Sequence, residues 1–271
     1  MIVRGDTERG TWEFVHCEPH PLLRPFVRSG YEGYRQAMRA PVRRLEVPHG
    51  GIVLIVGLGS AVDVAGTWHT SFVAGLYDEP VVVADDGRQE CIQANLTPLG
   101  ARMLLGLPMR ELTGQTVALD ELLDAALPER LAALASWPER FAALDAFLLR
   151  RLREARAPRP DVAYAWSVLE SARGRIAISR LCGQLGCSGR HLASRFGEEV
   201  GLPPKSFARL LRFERAAGLL SGGMSPAEVA AVCGYSDQPH LNRDFRALAG
   251  RPPAAFARSV TNFQDGPGVA A

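Results

Sequence analysis

Two stretches of this chain can be laid over one another, and that duplication confines its back half to a repeated helical unit. Ile178 to Arg209 aligns with Ser225 to Arg258 at a separation of 49 residues: Leu192 falls on Leu241, Phe196 on Phe245, Gly201 on Gly250, Pro203-Pro204 on Pro252-Pro253 and Phe207 on Phe256. Each copy reads as a helix, a tight turn and a second helix. In the later copy Ser225-Pro226-Ala227-Glu228 is a capping box, with the proline at the first helical position where no donor is needed. Val229, Val232 and Cys233 follow at i, i+3 and i+4 as one apolar face, and Gly234 frees the backbone for a turn. Ser236 or Asp237 then caps a helix whose Leu241, Phe245 and Leu248 share a face. In the earlier copy Leu181 and Leu185 form the first apolar face, Gly186 marks the turn, and Ser188 caps a helix that carries Leu192 and Phe196 inward.

Between the copies, Lys205 to Leu220 has no breaker until Gly218 and sets Phe207, Leu210, Leu211 and Ala217 along one stripe. Such a helix spans roughly 24 Å at 1.5 Å per residue. As a strut it could hold two recognition helices about 34 Å apart, one turn of duplex. The outward residues of the later copy, Gln238, His240, Asn242, Arg243 and Arg246, suit base edges and phosphates. A solvated polar face would have the same composition, and the duplication favours the DNA reader.

On these residues the chain resembles the AraC/XylS family of bacterial transcription regulators, whose DNA-binding domain is two helix-turn-helix units joined by a long helix. The resemblance runs from about Val168 to Arg258. Its most specific part is Gly234-Tyr235-Ser236-Asp237-Gln238, His240-Leu241-Asn242-Arg243-Asp244-Phe245, then Gly250, Pro252-Pro253 and Phe256. It implies base-reading positions at Gln238, His240 and Arg243 in the second unit and at Arg190, Ala193 and Ser194 in the first. The expected DNA-contacting set is Ser188, Arg190, His191, Ser194, Arg195, Lys205, Ser236, Gln238, His240, Asn242 and Arg243. Helix N-termini at Ser188 and Ser236 are expected to add backbone contacts to phosphate. Two departures stand out. The first unit has Ser194 where the family has arginine, with Arg195 one place later, a rotation of about 100° that points it toward phosphate. Pro239 replaces a small polar residue.

Charge is split between the halves. Met1 to Pro158 carries 17 basic and 20 acidic residues, and Arg159 to Arg258 carries 14 and 8, so only the back half suits a nucleic acid. Lys205 is the only lysine, an arginine preference that GC-rich coding explains more economically than recognition. Five scattered cysteines without a CxxC pair argue against a disulfide framework or zinc site and fit a reducing cytoplasm. The N-terminus lacks an apolar signal segment, and no stretch approaches the ~20 apolar residues of a membrane helix.

The front half reads as β-rich to about Asn95, with strands expected at Trp12–Val15, Tyr31–Tyr34, Ile52–Val56, Val62–Ala65, Ser71–Ala74, Val81–Ala84 and Cys91–Ala94. A small barrel or sandwich follows. Helical spacing then appears in LGARMLLGL, VALDELLDAAL and PERFAALDAFLLRRLREAR. The fold class is therefore an α+β domain ahead of an all-α domain. We expect a sensor or dimerisation domain over 1–157, a DNA-binding domain over 158–262 and a disordered tail over 263–271. Leu23-Arg24-Pro25-Phe26-Val27, Pro48-His49-Gly50 and Leu96 to Ala101 also resemble the sensor domains of some AraC-type regulators.

His49, Trp68, His69 and Tyr77 are the ligand-binding candidates, though a turn histidine and core aromatics would look the same. His16, His20, His49 and His69 lack the spacing of a metal site. The rival function is a DNA-repair alkyltransferase with Cys17 or Cys91 as acceptor, but no Pro-Cys-His setting, nucleophile elbow or phosphate-binding glycine loop is present. The expectation is thus a cytoplasmic regulator with no cofactor, no metal and no enzymatic activity. Its candidate partners are double-stranded DNA, a small-molecule effector, RNA polymerase and a second copy of the chain.

Overall fold

A computed structural model describes residues 1–261, with side chains to residue 258; the expected tail over 263–271 lies outside the described residues. The chain divides into two compact units. The first comprises Met1–Glu46, Gly51–Gly75 and Val81–Pro158, and the second comprises Val47–Gly50, Leu76–Pro80 and the chain from Arg159 onward.

In the first unit, alternating apolar residues and turn glycines produce eleven strands among the described residues. They are β1 (Ile2–Thr7), β2 (Gly10–Cys17), β3 (Val27–Met38), β4 (Val42–Glu46), β5 (Ile52–Gly57), β6 (Val62–Val64), β7 (Thr67–His69), β8 (Phe72–Ala74), β9 (Val81–Asp85), β10 (Arg88–Leu96) and β11 (Thr116–Ala118). One sheet has the order β1-β2-β3-β10-β5-β8-β11 and the other β4-β9-β6-β7. Ile55, Phe72 and Cys91 of the first sheet meet Val62, Val64 and Val83 of the second in one apolar cluster, so the inward faces of two sheets share a core.

Four helices complete this unit: α1 (Pro98–Leu105), α2 (Leu119–Leu122), α3 (Leu127–Ala132) and α4 (Trp137–Glu154). A capping box of Ser136 and Glu139 starts α4, which buries Trp137, Phe141, Leu144, Phe147 and Leu148. Phe141 stacks on Tyr31 of β3 at 6.1 Å between centroids. Gly33 makes room for the helix, since a Cβ there would lie 2.6 Å from the Trp137 ring. The expected helix over VALDELLDAAL is instead edge strand β11, four-residue α2 and the approach to α3. Thr116–Ala118 pairs with β8, and hydrogen bonding to that strand outweighs helical propensity.

The second unit contains α5 (Pro160–Ser171), α6 (Ile178–Leu185), α7 (Gly189–Val200), α8 (Pro204–Ser221), α9 (Pro226–Cys233), α10 (Gln238–Ala249) and α11 (Pro253–Thr261). Helix α8 has 18 residues, about 27 Å at 1.5 Å per residue. It packs against α5 and α7 on one side of the duplication and α9, α10 and α11 on the other. Phe207 of α8 meets Phe196 of α7 at 5.8 Å, while Phe213 meets Phe245 at 4.8 Å. Two backbones come close at Gly174, whose φ is +69° and where a Cβ would lie 2.0 Å from the Ala208 carbonyl oxygen. Val47 packs against the second core, and the Gly50 N–H donates to Glu214 at 2.9 Å.

Candidate nucleic-acid interface

Each helix-turn-helix corner is closed by a glycine in the left-handed region. At Gly186 φ is +62°, and the Gly186 and Cys187 N–H groups donate to the Gly183 and Cys182 carbonyls. At Gly234 φ is +74°, and Gly234 and Tyr235 donate to Ala231 and Ala230. These paired bonds are the Schellman arrangement, which satisfies the last carbonyls of a helix and turns the chain.

The second helix of each unit begins at a side-chain cap. Ser188 Oγ accepts from the His191 N–H at 3.2 Å. In the later unit the cap is Asp237, whose carboxylate accepts from the His240 N–H at 2.6 Å. Ser236, the alternative cap, instead contacts His240 Nδ1 at 3.2 Å. The two N-termini therefore differ chemically. That of α7 ends in a neutral hydroxyl and suits a phosphate, while that of α10 already holds a carboxylate.

On α10, Leu241, Phe245 and Leu248 are buried, and Gln238, Arg243 and Arg246 are exposed. Asn242 and His240 are half-buried, and the His240 ring meets Tyr235 edge-on at 5.1 Å. On α7, Leu192 and Phe196 are buried, Arg190, His191 and Ser194 are exposed, and Ala193 is half-buried. Lys205 is exposed in the first turn of α8. Val232, expected on the inward face of α9, is 38 % exposed. Val229, Ala230 and Cys233 fill that face, and Val232 lies one step around the helix.

Several cations in this unit are committed to internal ion pairs. Arg195 pairs with Asp161 at 2.8 Å, Arg159 with Glu199 at 3.5 Å and Arg209 with Asp244 at 2.8 Å. Among the described residues, Arg190, Lys205, Arg243 and Arg246 have no carboxylate within ion-pair distance. Arg195, expected to contact phosphate, has its guanidinium engaged with Asp161 of α5 and its side chain 37 % exposed. Burial alone would raise the Asp161 carboxyl, but the hydrogen bond and charge of Arg195 hold it below its ordinary value.

The two inward pairs are one feature written twice. Asp161 and Arg209 stand 48 residues apart, on the helix preceding each helix-turn-helix. Arg195 and Asp244 stand 49 apart, immediately before Phe196 and Phe245. The duplication thus extends back over α5 and α8, and the polarity of its ion pair is reversed between copies. Sequence reading missed both Asp161 and Arg209; the signal was the offset, continued upstream.

The ligand candidates are not gathered in either unit. His49 and Tyr77 belong to the second unit and Trp68 and His69 to the first. Trp68 is 60 % exposed on β7, and His69 lies 5.7 Å from the Phe72 ring. The first unit instead buries a polar chain. Tyr34 donates to Gln36, Gln36 donates to Asp85 at 3.0 Å, and Arg44 donates to Asp85 at 3.1 Å. Beside it, the buried Gln89 Oε1 has no hydrogen-bond partner among the described residues.

The rival alkyltransferase needs an activated thiolate, and neither cysteine has the setting for one. Burial pushes the Cys91 thiol up to about 12 and raises Cys17 as well, the opposite of activation. Among the described residues there is no cluster of three or more metal-ligating side chains, and no helix is long and apolar enough to cross a membrane.

Residues 181–259 match the family described as "Helix-turn-helix domain", and residues 15–118 match "Domain of unknown function (DUF6597)". The HTH-type transcriptional activator RhaR of Pectobacterium atrosepticum is 32 % identical over 84 residues, 31 % of this chain and 30 % of RhaR. The uncharacterized HTH-type transcriptional regulator YbfI of Bacillus subtilis is 32 % identical over 66 residues, 24 % of each chain. These matches thus span about a third or less of either curated relative. ToxT of Vibrio cholerae is similar in fold, with a TM-score of 0.51 and 10 % identity over 84 % of this chain and 98 % of that one.

Proposed function

Because the C-terminal unit is an AraC-type helix-turn-helix DNA-binding domain, we propose that the whole chain is a sequence-specific transcription regulator controlled through its front part. In this reading residues 158–262 bind DNA and residues 1–157 sense a small molecule or dimerise. Helix α10 reads bases through Gln238 and Arg243, with His240 steadied by Ser236 and Tyr235. Helix α7 contacts the neighbouring groove through Arg190, His191 and Ser194, its Ser188-capped N-terminus facing phosphate, with Lys205 adding charge. Asn242, half-buried, lies beside the base readers. The observation that carries the reading is that Arg190, Lys205, Arg243 and Arg246, on α7, the start of α8 and α10, are exposed and without carboxylate partners among the described residues, beside cations that are committed to internal pairs. Such cations remain available for phosphate and base edges.

The test is selection of duplexes from a random pool by the full chain, followed by titration of variants. Arg243→Ala is expected to lose about 1–3 kcal/mol at one base position, whereas Lys205→Ala should weaken all duplexes alike and lower the salt slope by about one. No enrichment at low salt would overturn the proposal. Effector control is supported by the buried polar chain of Tyr34, Gln36, Asp85 and Arg44 and the unpartnered Gln89 Oε1 beside it, where polar groups converge inside an apolar sandwich. A thermal-shift screen of small polar metabolites against the full chain tests it. A compound that raises the melting temperature and loses that effect in Gln89→Leu is the expected result.

A further inference from the structure

Two of the five cysteines meet at the corner of the first helix-turn-helix. Cys182 is the last-turn residue whose carbonyl accepts from the Cys187 N–H at 3.1 Å, across Gly186. In a Schellman corner these are the two positions whose side chains frequently meet. Standard backbone dimensions then hold the two Cα atoms within about 7 Å, the outer limit for a disulfide. Both thiols are free and half-buried. The corner does not require them, because the second unit closes the same turn with Ala230 and Tyr235.

We propose that Cys182 and Cys187 form a reversible dithiol–disulfide site, oxidised by exchange with a small-molecule disulfide, that locks the corner of the first helix-turn-helix. Burial, the neighbouring Cys182 and Asp161 raise the Cys187 thiol, although Arg195 opposes them, so Cys187 acts second. The Cys182 thiolate attacks one sulfur of the small disulfide, its S–S bond breaks, and one small thiolate leaves. The Cys187 thiolate then attacks the Cys182 sulfur of the mixed disulfide and releases the second small thiolate. Both leaving groups take up the protons the cysteines gave, so two protein thiols are oxidised and one small disulfide is reduced to two thiols. The new bond fixes the residue immediately before Ser188, the cap of α7.

The reduced full chain, equilibrated in glutathione buffers of stepped ratio and then alkylated, tests this by mass spectrometry. An intrachain link that removes two hydrogens and maps to the peptide holding residues 182 and 187 is expected, reversed by a reducing buffer. Hydrogen exchange at residues 186–191 should slow severalfold in the oxidised chain. Cys182→Ala, which copies the alanine that the second unit carries at Ala230, is expected to fold and to stop at a glutathione adduct on Cys187 without slowed exchange. No link at any ratio, a link between other cysteines, or equal slowing in Cys182→Ala would overturn the proposal.

Discussion

The two helix-turn-helix units share a backbone plan and differ in how charge ties each to the rest of its unit. In the first, an acid on α5 holds an arginine on α7; in the second, an arginine on α8 holds an acid on α10. Each pair is satisfied only within its own copy. If α10 took the place of α7 beside α5, Asp161 would face Asp244, and if α7 took the place of α10 beside Arg209, Arg209 would face Arg195. Like charges brought together in this way are a means of excluding the wrong partner. Two similar cores joined by one helix are at risk of cross-pairing during folding, and the swapped polarity opposes it.

The most damaging way to break this comparison is at Asp244, which is buried. Asp244→Arg, set against Arg209, is expected to destabilise the C-terminal unit by about 3–5 kcal/mol in urea unfolding, and the double reversal Arg209→Asp with Asp244→Arg should recover most of it. No recovery would mean that packing, and not charge, decides the position. Giving both copies the same polarity sharpens the point. Asp161→Arg with Arg195→Asp keeps a local pair but permits cross-docking, so the refolding yield of monomer should fall severalfold.

Smaller effects separate the first helices. Ser225 and Glu228 form a reciprocal cap on α9, whereas Ala177 at the start of α6 makes no side-chain cap bond. Ser225→Ala is expected to cost about 1 kcal/mol and Ala177→Ser to gain somewhat less, both read by thermal unfolding. The smallest difference concerns acid. Asp161 is held below its ordinary value, so its stabilising contribution is present above the normal carboxylate range and is lost as pH falls through the lowered value. In Arg195→Ala, the loss of stability below about pH 4 should therefore be shallower.

Most of the C-terminal unit could be read in advance because local chemistry decided it. The capping box, the two corner glycines, Ser188 and the buried stripe of Phe207, Leu210, Leu211 and Ala217 all lie where periodicity and turn residues set them. The front unit was legible only where a strand is apolar by itself. Strands such as β5 and β10 carry that signal, but β1, β4, β7 and β11 do not. Arg43 and Arg44 in β4, or Thr67 and Trp68 in β7, adopt extended structure because a neighbouring strand offers hydrogen bonds. Of the candidate interface, residue types and exposure could be anticipated. The commitment of Arg195 to Asp161 could not, because it depends on a helix outside the aligned stretch.

The slip from a separation of 48 before the corner to 49 after it has a consequence of its own. One additional residue lies between Gly234 and Asp237 compared with the stretch from Gly186 to Ser188, yet the phenylalanines behind both corners remain in step. The elbow of such a module can thus be lengthened without disturbing its anchorage. Insertions or deletions confined to that joint offer a way to re-aim one reading head while its twin stays in place.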